Sequence, residues 1–137
     1  MREDCIFCSI IEKVIASKIV YEDDLVMAIL DIDPVSEAHT LVVPKRHFDD
    51  IVSIESEYVE RIAEVTQKIA KKIFENIKPD GINILQNNGR AAGQVVMHYH
   101  NHIIPRWEND GNKVFNSQPP EKDLFSMMDE TLAKIKI

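Results

Sequence analysis

"HYHNHIIPR", residues 98–106, places three histidines at alternate positions and closes on a proline and an arginine. The whole chain of 137 residues holds only five histidines, so the fold must account for three of them within five positions. Side chains alternate across a strand, so there His98, His100 and His102 project from one face and Tyr99, Asn101 and Ile103 from the other. The β-branched and aliphatic residues around the row predict a strand over residues 95–104. On that strand His98 and His102 stand about 13 Å apart with parallel side chains. Zinc wants its nitrogens at about 2.0–2.1 Å, so two neighbours in the row can share a metal and all three cannot. A row of neutral imidazoles is better suited to attack on phosphorus or an acyl carbon and to proton exchange near pH 7. Each cationic ring would disfavour protonation of the next, which keeps the central one neutral. His100 is the natural nucleophile.

Outward from this row, residues 19–21, 26–32 and 40–43 are β-branched or aliphatic runs, separated by Asp23-Asp24 and Asp33-Pro34, and read as strands. Tyr58, Ile62, Val65, Ile69 and Ile73 then recur at spacings of four, three, four and four, the apolar stripe of an amphipathic helix. Ser53 or Ser56 is positioned to cap its start, and Pro79 stops it. A strand at 82–86 precedes the histidine row. Residues 5–13 make a short apolar helical stretch, 108–122 a polar loop and 124–135 a closing helix. Strands and helices in blocks, without regular alternation, predict an α+β fold with an antiparallel sheet, formed by residues 1–137 as a single domain.

Composition narrows the function classes. The chain is 45% hydrophobic and 28% charged, as globular proteins are. A formal net charge of −7 argues against nonspecific nucleic-acid binding, which needs many cations, yet leaves room for a small phosphorylated ligand in a local field. The longest apolar run is far short of the roughly 20 residues that cross a bilayer, so no membrane partner is expected. The first residues, MREDCIFCSIIEK, have no signal-peptide pattern, and the expected location is the cytoplasm.

Two further stretches carry chemistry. "NNGRAAGQ", residues 87–94, holds two of the four glycines directly before the histidine row. Its small residues let backbone N–H groups approach an anion, with Asn and Gln amides as added donors. Cys5 and Cys8 form a C-x2-C without the βαβ surroundings of a thioredoxin motif. Alone, the pair is half of a tetrahedral zinc site.

The histidine row resembles the His-φ-His-φ-His-φ-φ signature of the histidine triad (HIT) family of nucleotide hydrolases, with polar Asn101 where an apolar residue is usual. "IFCSII", "YEDDLVMAILDIDP", "HTLVVPKRH" and "NNGRAAGQ" stand in that family's order over roughly residues 5–106. The resemblance implies about five antiparallel strands, one long helix and shorter terminal helices, with the sheet continued across a homodimer. It implies His100 as the nucleophile toward the α-phosphorus of a purine nucleotide, His102 as a phosphate or leaving-group contact and His39 as their support. It implies Asp31 at the ribose, Ile6, Phe7, Ile10, Ile29 and Ile32 around the base, and Asn87, Gly93 and Gln94 at the phosphates. Prokaryotic members suggest a structural zinc on Cys5, Cys8, His47 and His98. Val95 departs from the many members with serine or threonine there, so a hydroxyl donor is missing. The implied reaction releases a nucleoside monophosphate such as AMP from a phosphoramidate or a dinucleoside polyphosphate. A nucleotide-binding regulator with residual hydrolysis and a metal-dependent hydrolase using His98 and His100 as ligands are the alternatives.

Overall fold

The structure, a computed structural model, describes residues 2–111 and 122–137, so most of the expected polar loop over 108–122 lies outside the described residues. Strands β1 (Ile19–Glu22), β2 (Val26–Leu30), β3 (Thr40–Pro44), β4 (Gly81–Leu85) and β5 (Asn101–Arg106) form one sheet in the order β1-β2-β3-β5-β4. Every neighbouring pair is antiparallel. Helices α1 (Ile6–Ile11), α2 (Ser56–Asn76) and α3 (Met128–Ile135) complete the α+β architecture expected from the block order.

The period-2 alternation of β2 decides the layering. Val26, Ala28 and Leu30 enter a core with Ile62, Val65, Ile69 and Ile73 of α2, while Met27 and Ile29 enter a second cluster with Phe7, Cys8 and Ile10 of α1. β2 and β3 are buried along their whole length because both faces are covered. The predicted stripe is therefore the buried face of α2. That helix ends at Asn76, and Lys78 turns into a left-handed conformation (φ 56°) just before Pro79.

Three expectations need correction. Glu55, not a serine, holds the N-cap position of α2 and makes no side-chain cap bond; Ser53 is spent on the preceding turn, donating to the Asp50 carbonyl at 3.2 Å. The closing helix starts at Met128, with Leu124 buried in the turns ahead of it. The strand predicted over 95–104 is paired only from Asn101 and runs on to Arg106. Its ladder with β3 is Thr40↔Ile103, Leu41↔His102 and Val42↔Asn101. Two residues further along β3 stands Pro44, which has no N–H for a ladder and whose carbonyl meets the His98 ring at 2.9 Å. Only His102 of the row is a strand residue. The segment before it is held by the Tyr99 N–H, which donates to the Phe48 carbonyl at 2.7 Å.

Candidate functional site

Alternation survives outside the ladder. Tyr99 and Ile103 enter the α2 core, and Asn101 faces that helix, its amide 3.4 Å from Thr66 Oγ1. The three imidazoles stay on the α1 side, where Phe7 meets His98 and His100 edge-on with ring centroids 5.7 and 5.1 Å away. His100 and His102 follow at 4.8 Å.

Backbone partners fix where the protons sit. His100 Nδ1 lies 2.7 Å from the His98 carbonyl, which can only accept, so Nδ1 carries the proton and Nε2 is a bare lone pair. His39 Nδ1 accepts the Val35 N–H at 3.0 Å, which puts the His39 proton on Nε2. That proton is donated to His102 Nδ1 at 2.9 Å and leaves His102 with Nε2–H. Burial holds His39 down to about 3 and His102 to about 4, with repulsion from neighbouring imidazoles adding to it; burial also lowers His100. All three rings are neutral at pH 7. One offers a lone pair and another an N–H.

Asp31 sits beside them at the end of β2. Its Oδ1 accepts the Asp33 N–H at 2.9 Å, and its Oδ2 lies 3.6 Å from His39 Nε2. Burial pushes its carboxyl up to about 6. Asp31, His39 and His102 bring their polar atoms within 4.8 Å of one another. Because both His39 nitrogens are already committed, this trio works as a hydrogen-bond relay and not as a metal cage.

These groups line a cavity of about 650 Å³, within the range of small-molecule sites. Ile6, Phe7, Ile10, Ile29 and Ile32 supply its apolar walls, and Asn87 and Gly93 reach its rim. Gly93 adopts φ +93°, and a Cβ there would come within 3.4 Å of the Asn87 amide, so glycine lets Asn87 close over the loop. Gln94 behaves differently from the expectation. Its amide is spent on backbone groups, donating to the Asp49 and Val96 carbonyls at 2.7 and 3.0 Å and accepting from the Gly89 N–H at 2.7 Å. It shapes the rim and does not line the cavity.

The second cluster gathers Cys5, Cys8, His47 and His98, whose ligand atoms all lie within 4.8 Å of one another. His98 Nδ1 is 3.4 Å from Cys5 Sγ, 3.6 Å from Cys8 Sγ and 3.1 Å from His47 Nδ1; Cys8 Sγ is 3.3 Å from His47 Nδ1. Tetrahedral bonds of about 2.0–2.3 Å set ligand atoms about 3.3–3.8 Å apart, which these separations approach. The far nitrogens face acceptors, His98 Nε2 the Pro44 carbonyl at 2.9 Å and His47 Nε2 the Asp49 carboxylate at 2.8 Å. Both Nδ1 atoms are then lone pairs directed at one another and at two sulfurs, an arrangement that a shared cation relieves. The residues fit a metal ion. The pairing of His98 with His100 as ligands does not form, because His98 faces the cysteines and His100 the cavity.

The HIT domain family model matches residues 12–109. The chain belongs to the HIT family. A HIT-like protein of Borreliella burgdorferi, itself uncharacterized, is 49% identical over 111 residues, 79% of each chain. An adenosine 5′-monophosphoramidase of Candida albicans is 38% identical over 136 residues, covering 96% of this chain and 89% of its own. A zinc-bound histidine triad protein of Mycobacterium smegmatis has a solved structure that superposes with a TM-score of 0.79 at 36% identity, over 96% of this chain and 94% of that one.

In this HIT domain the five-stranded antiparallel sheet and the helix set agree with the fold that the motifs implied. No helix among the described residues is long and apolar enough to cross a membrane. Both thiols lie ahead of the matched segment, so half of the candidate metal cluster is contributed by the extension that carries α1. The site also uses groups that the sequence reading passed over. Asp49 and the Pro44 carbonyl orient the two imidazoles of the metal cluster, and the Val35 N–H sets the His39 tautomer. Asp49 was open to detection two residues after His47; the backbone partners carry no residue signal.

Proposed function

We propose that the protein hydrolyses purine nucleotides at the α-phosphorus through a nucleotidyl-histidine at His100. The observation that carries this reading is the proton placement. With Nδ1–H held by the His98 carbonyl, His100 Nε2 is a bare nucleophile in a cavity with apolar walls. Its attack forms a P–N bond while the bond from phosphorus to the leaving group breaks and its electron pair departs with that group. The His98 carbonyl then supports the positive charge that grows on the ring, and His102 Nε2–H donates to a phosphoryl oxygen. Water next attacks the same phosphorus and releases a proton to solvent, the P–N pair returns to Nε2, and the nucleoside monophosphate leaves. Adenosine is the nucleoside we favour, in keeping with the named activity of the Candida relative. Asp31 Oδ2 accepts from the ribose hydroxyls, and the isoleucines and Phe7 enclose the base.

Zinc is the ion we assign to Cys5, Cys8, His47 and His98, as a structural centre remote from phosphorus. Its reduced thiolates suit a cytoplasmic setting. We further infer a homodimer. β4 is an edge strand with Ile84 about half exposed, and Phe74 on α2 is likewise uncovered, surfaces that twofold pairing through that edge would bury. Quenching a turnover reaction in acid-free denaturant and mapping the product by mass spectrometry tests the central step. A nucleotidyl group on His100 is expected; steady turnover with no such adduct, in a quench fast enough to trap it, rejects the covalent route.

A further inference from the structure

A second cavity, of about 420 Å³, adjoins the first and shares Ile6, Val95 and Val96 as a common wall. Its character differs. Two guanidiniums line it, Arg2 and Arg90, against one lining carboxylate, Asp4, in a chain whose formal charge is −7. Arg90 lies on the 3-10 turn Arg90–Ala92 within the loop that closes over the first cavity, and its guanidinium makes no ion pair or hydrogen bond among the described residues. Arg2 is only loosely held. Its nearest acceptors, the Asp4 and Asp49 carboxylates, stand at 3.4 Å, beyond the optimum for such bonds, and its side chain is half exposed.

We propose that this recess is the subsite for the leaving group and that Arg90 and Arg2 select leaving groups bearing phosphate over neutral amines. The inference rests on the reading of His100 as nucleophile and deepens it. The chemistry of the recess supports the choice. An amine leaving group needs a proton as its bond to phosphorus breaks. The imidazole that lines the recess, His47, has both nitrogens committed, one at 2.8 Å from Asp49 and the other at 3.3 Å from the Cys8 thiol. Val95, which stands at the junction of the two cavities, has no proton to give. A polyphosphate leaving group takes the electron pair of the broken P–O bond and stays anionic near pH 7, so it needs charge and not a proton. Guanidiniums supply that charge in a planar, multidentate form.

Arg90→Gln and Arg2→Gln change exposed side chains and leave the core untouched. Each is assayed on diadenosine tetraphosphate and on an adenosine phosphoramidate of a neutral amine, with tripolyphosphate titrated in parallel into AMP-saturated protein. The ratio of kcat/KM for the tetraphosphate over the phosphoramidate is expected to fall about tenfold for Arg90→Gln, less for Arg2→Gln, and more for the pair. The wild-type ratio itself should shrink as salt is raised. Tripolyphosphate should weaken by a similar factor in the variants. An unchanged ratio, or equal losses on both substrates, overturns the subsite. If the wild type cleaves neither substrate, the proposed hydrolysis fails, and the titration alone then decides: weakened tripolyphosphate retains the anion site, and equal binding removes it.

Discussion

His98 and His100 stand two residues apart, both buried and both facing the same side of the sheet, yet they hold their protons on opposite nitrogens. The Pro44 carbonyl takes the Nε2–H of His98 and turns its Nδ1 lone pair toward two thiols and His47. The His98 carbonyl takes the Nδ1–H of His100 and leaves Nε2 bare in the cavity. Residue type is therefore the same at the two corners, and the backbone acceptor decides the role. The corners are also joined, because the residue whose ring belongs to the metal cluster also supplies the carbonyl that orients the nucleophile. Disturbing one corner should loosen the other, while disturbing the other should leave the first intact. That asymmetry can be broken experimentally.

The largest effect should come at the nucleophile. His100→Asn is expected to lower kcat by more than about a thousandfold, as loss of a covalent nucleophile does, while AMP still binds and metal content is unchanged. A variant keeping more than about one percent of wild-type turnover would sink the assignment. Next is the metal corner. Cys5→Ser should reduce bound zinc from about one per chain and lower Tm by roughly 10 °C, since metal binding is linked to folding. It should also reduce kcat, through the His98 carbonyl, with a smaller change in AMP affinity. Equal stability and metal content in wild type and variant would remove the centre; loss of metal with full kcat would uncouple the two corners.

The ease of reading these corners from residues alone was unequal. Alternation in "HYHNHIIPR" set the facing of all three imidazoles, because Tyr99 and Ile103 must reach the α2 core whether or not the backbone is paired. The extent of pairing was not legible, since it depends on Pro44, which stands more than fifty residues earlier and meets the segment only in the folded sheet. The long helix was plain from its stripe, but its cap was not: two serines and a glutamate compete, and the Asp50 turn claims Ser53. In the glycine-bearing loop the Gln94 amide reads as an added donor to phosphate. That amide has three backbone partners, and the one at Asp49, 45 residues earlier, leaves no trace in local sequence.

His39 sharpens the comparison by testing proton placement itself. His39→Gln removes the imidazole that donates to His102 Nδ1 and frees His102 to adopt either tautomer. A loss of about a hundredfold in kcat is expected with AMP affinity nearly unchanged. The pH profile gives an independent reading. His39 and His102 have folded pKa values of about 3 and 4, below the ordinary 6.5, so the folded state resists proton uptake. Their stabilisation is complete above about pH 6.5 and is lost as pH falls toward those values. Melting temperature should drop over that interval, and His39→Gln should flatten the drop. An identical acid slope in the variant would mean that other groups set it.

The smallest effect belongs to Asp31, where two roles compete inside one carboxylate. Oδ1 already accepts the Asp33 N–H and so caps the turn after β2; only Oδ2 is free to meet a ribose hydroxyl. Ribose preference should therefore sit near the lower end for hydrogen bonds to a charged group, about 1.5 kcal/mol, or roughly tenfold in Kd. Its pH dependence follows from the raised carboxyl. Burial lifts Asp31 to about 6, so above that pH the free protein holds a poorly solvated charge, and below it a neutral acid. Ribose hydroxyls donating to Oδ2 favour the ionised form and lower its pKa in the complex, so the complex binds fewer protons and affinity rises as pH increases through about 6. The phosphate of the ligand titrates in the same region, and the ratio of AMP to 2′,3′-dideoxy-AMP affinity cancels that contribution. The ratio should grow from pH 5 to pH 7 in the wild type and lie flat in Asp31→Asn, which keeps the turn-capping oxygen and loses the charge. A wild-type ratio of one at pH 7 rejects the ribose role, and a flat profile with a ratio of ten shows that a different group reads the sugar.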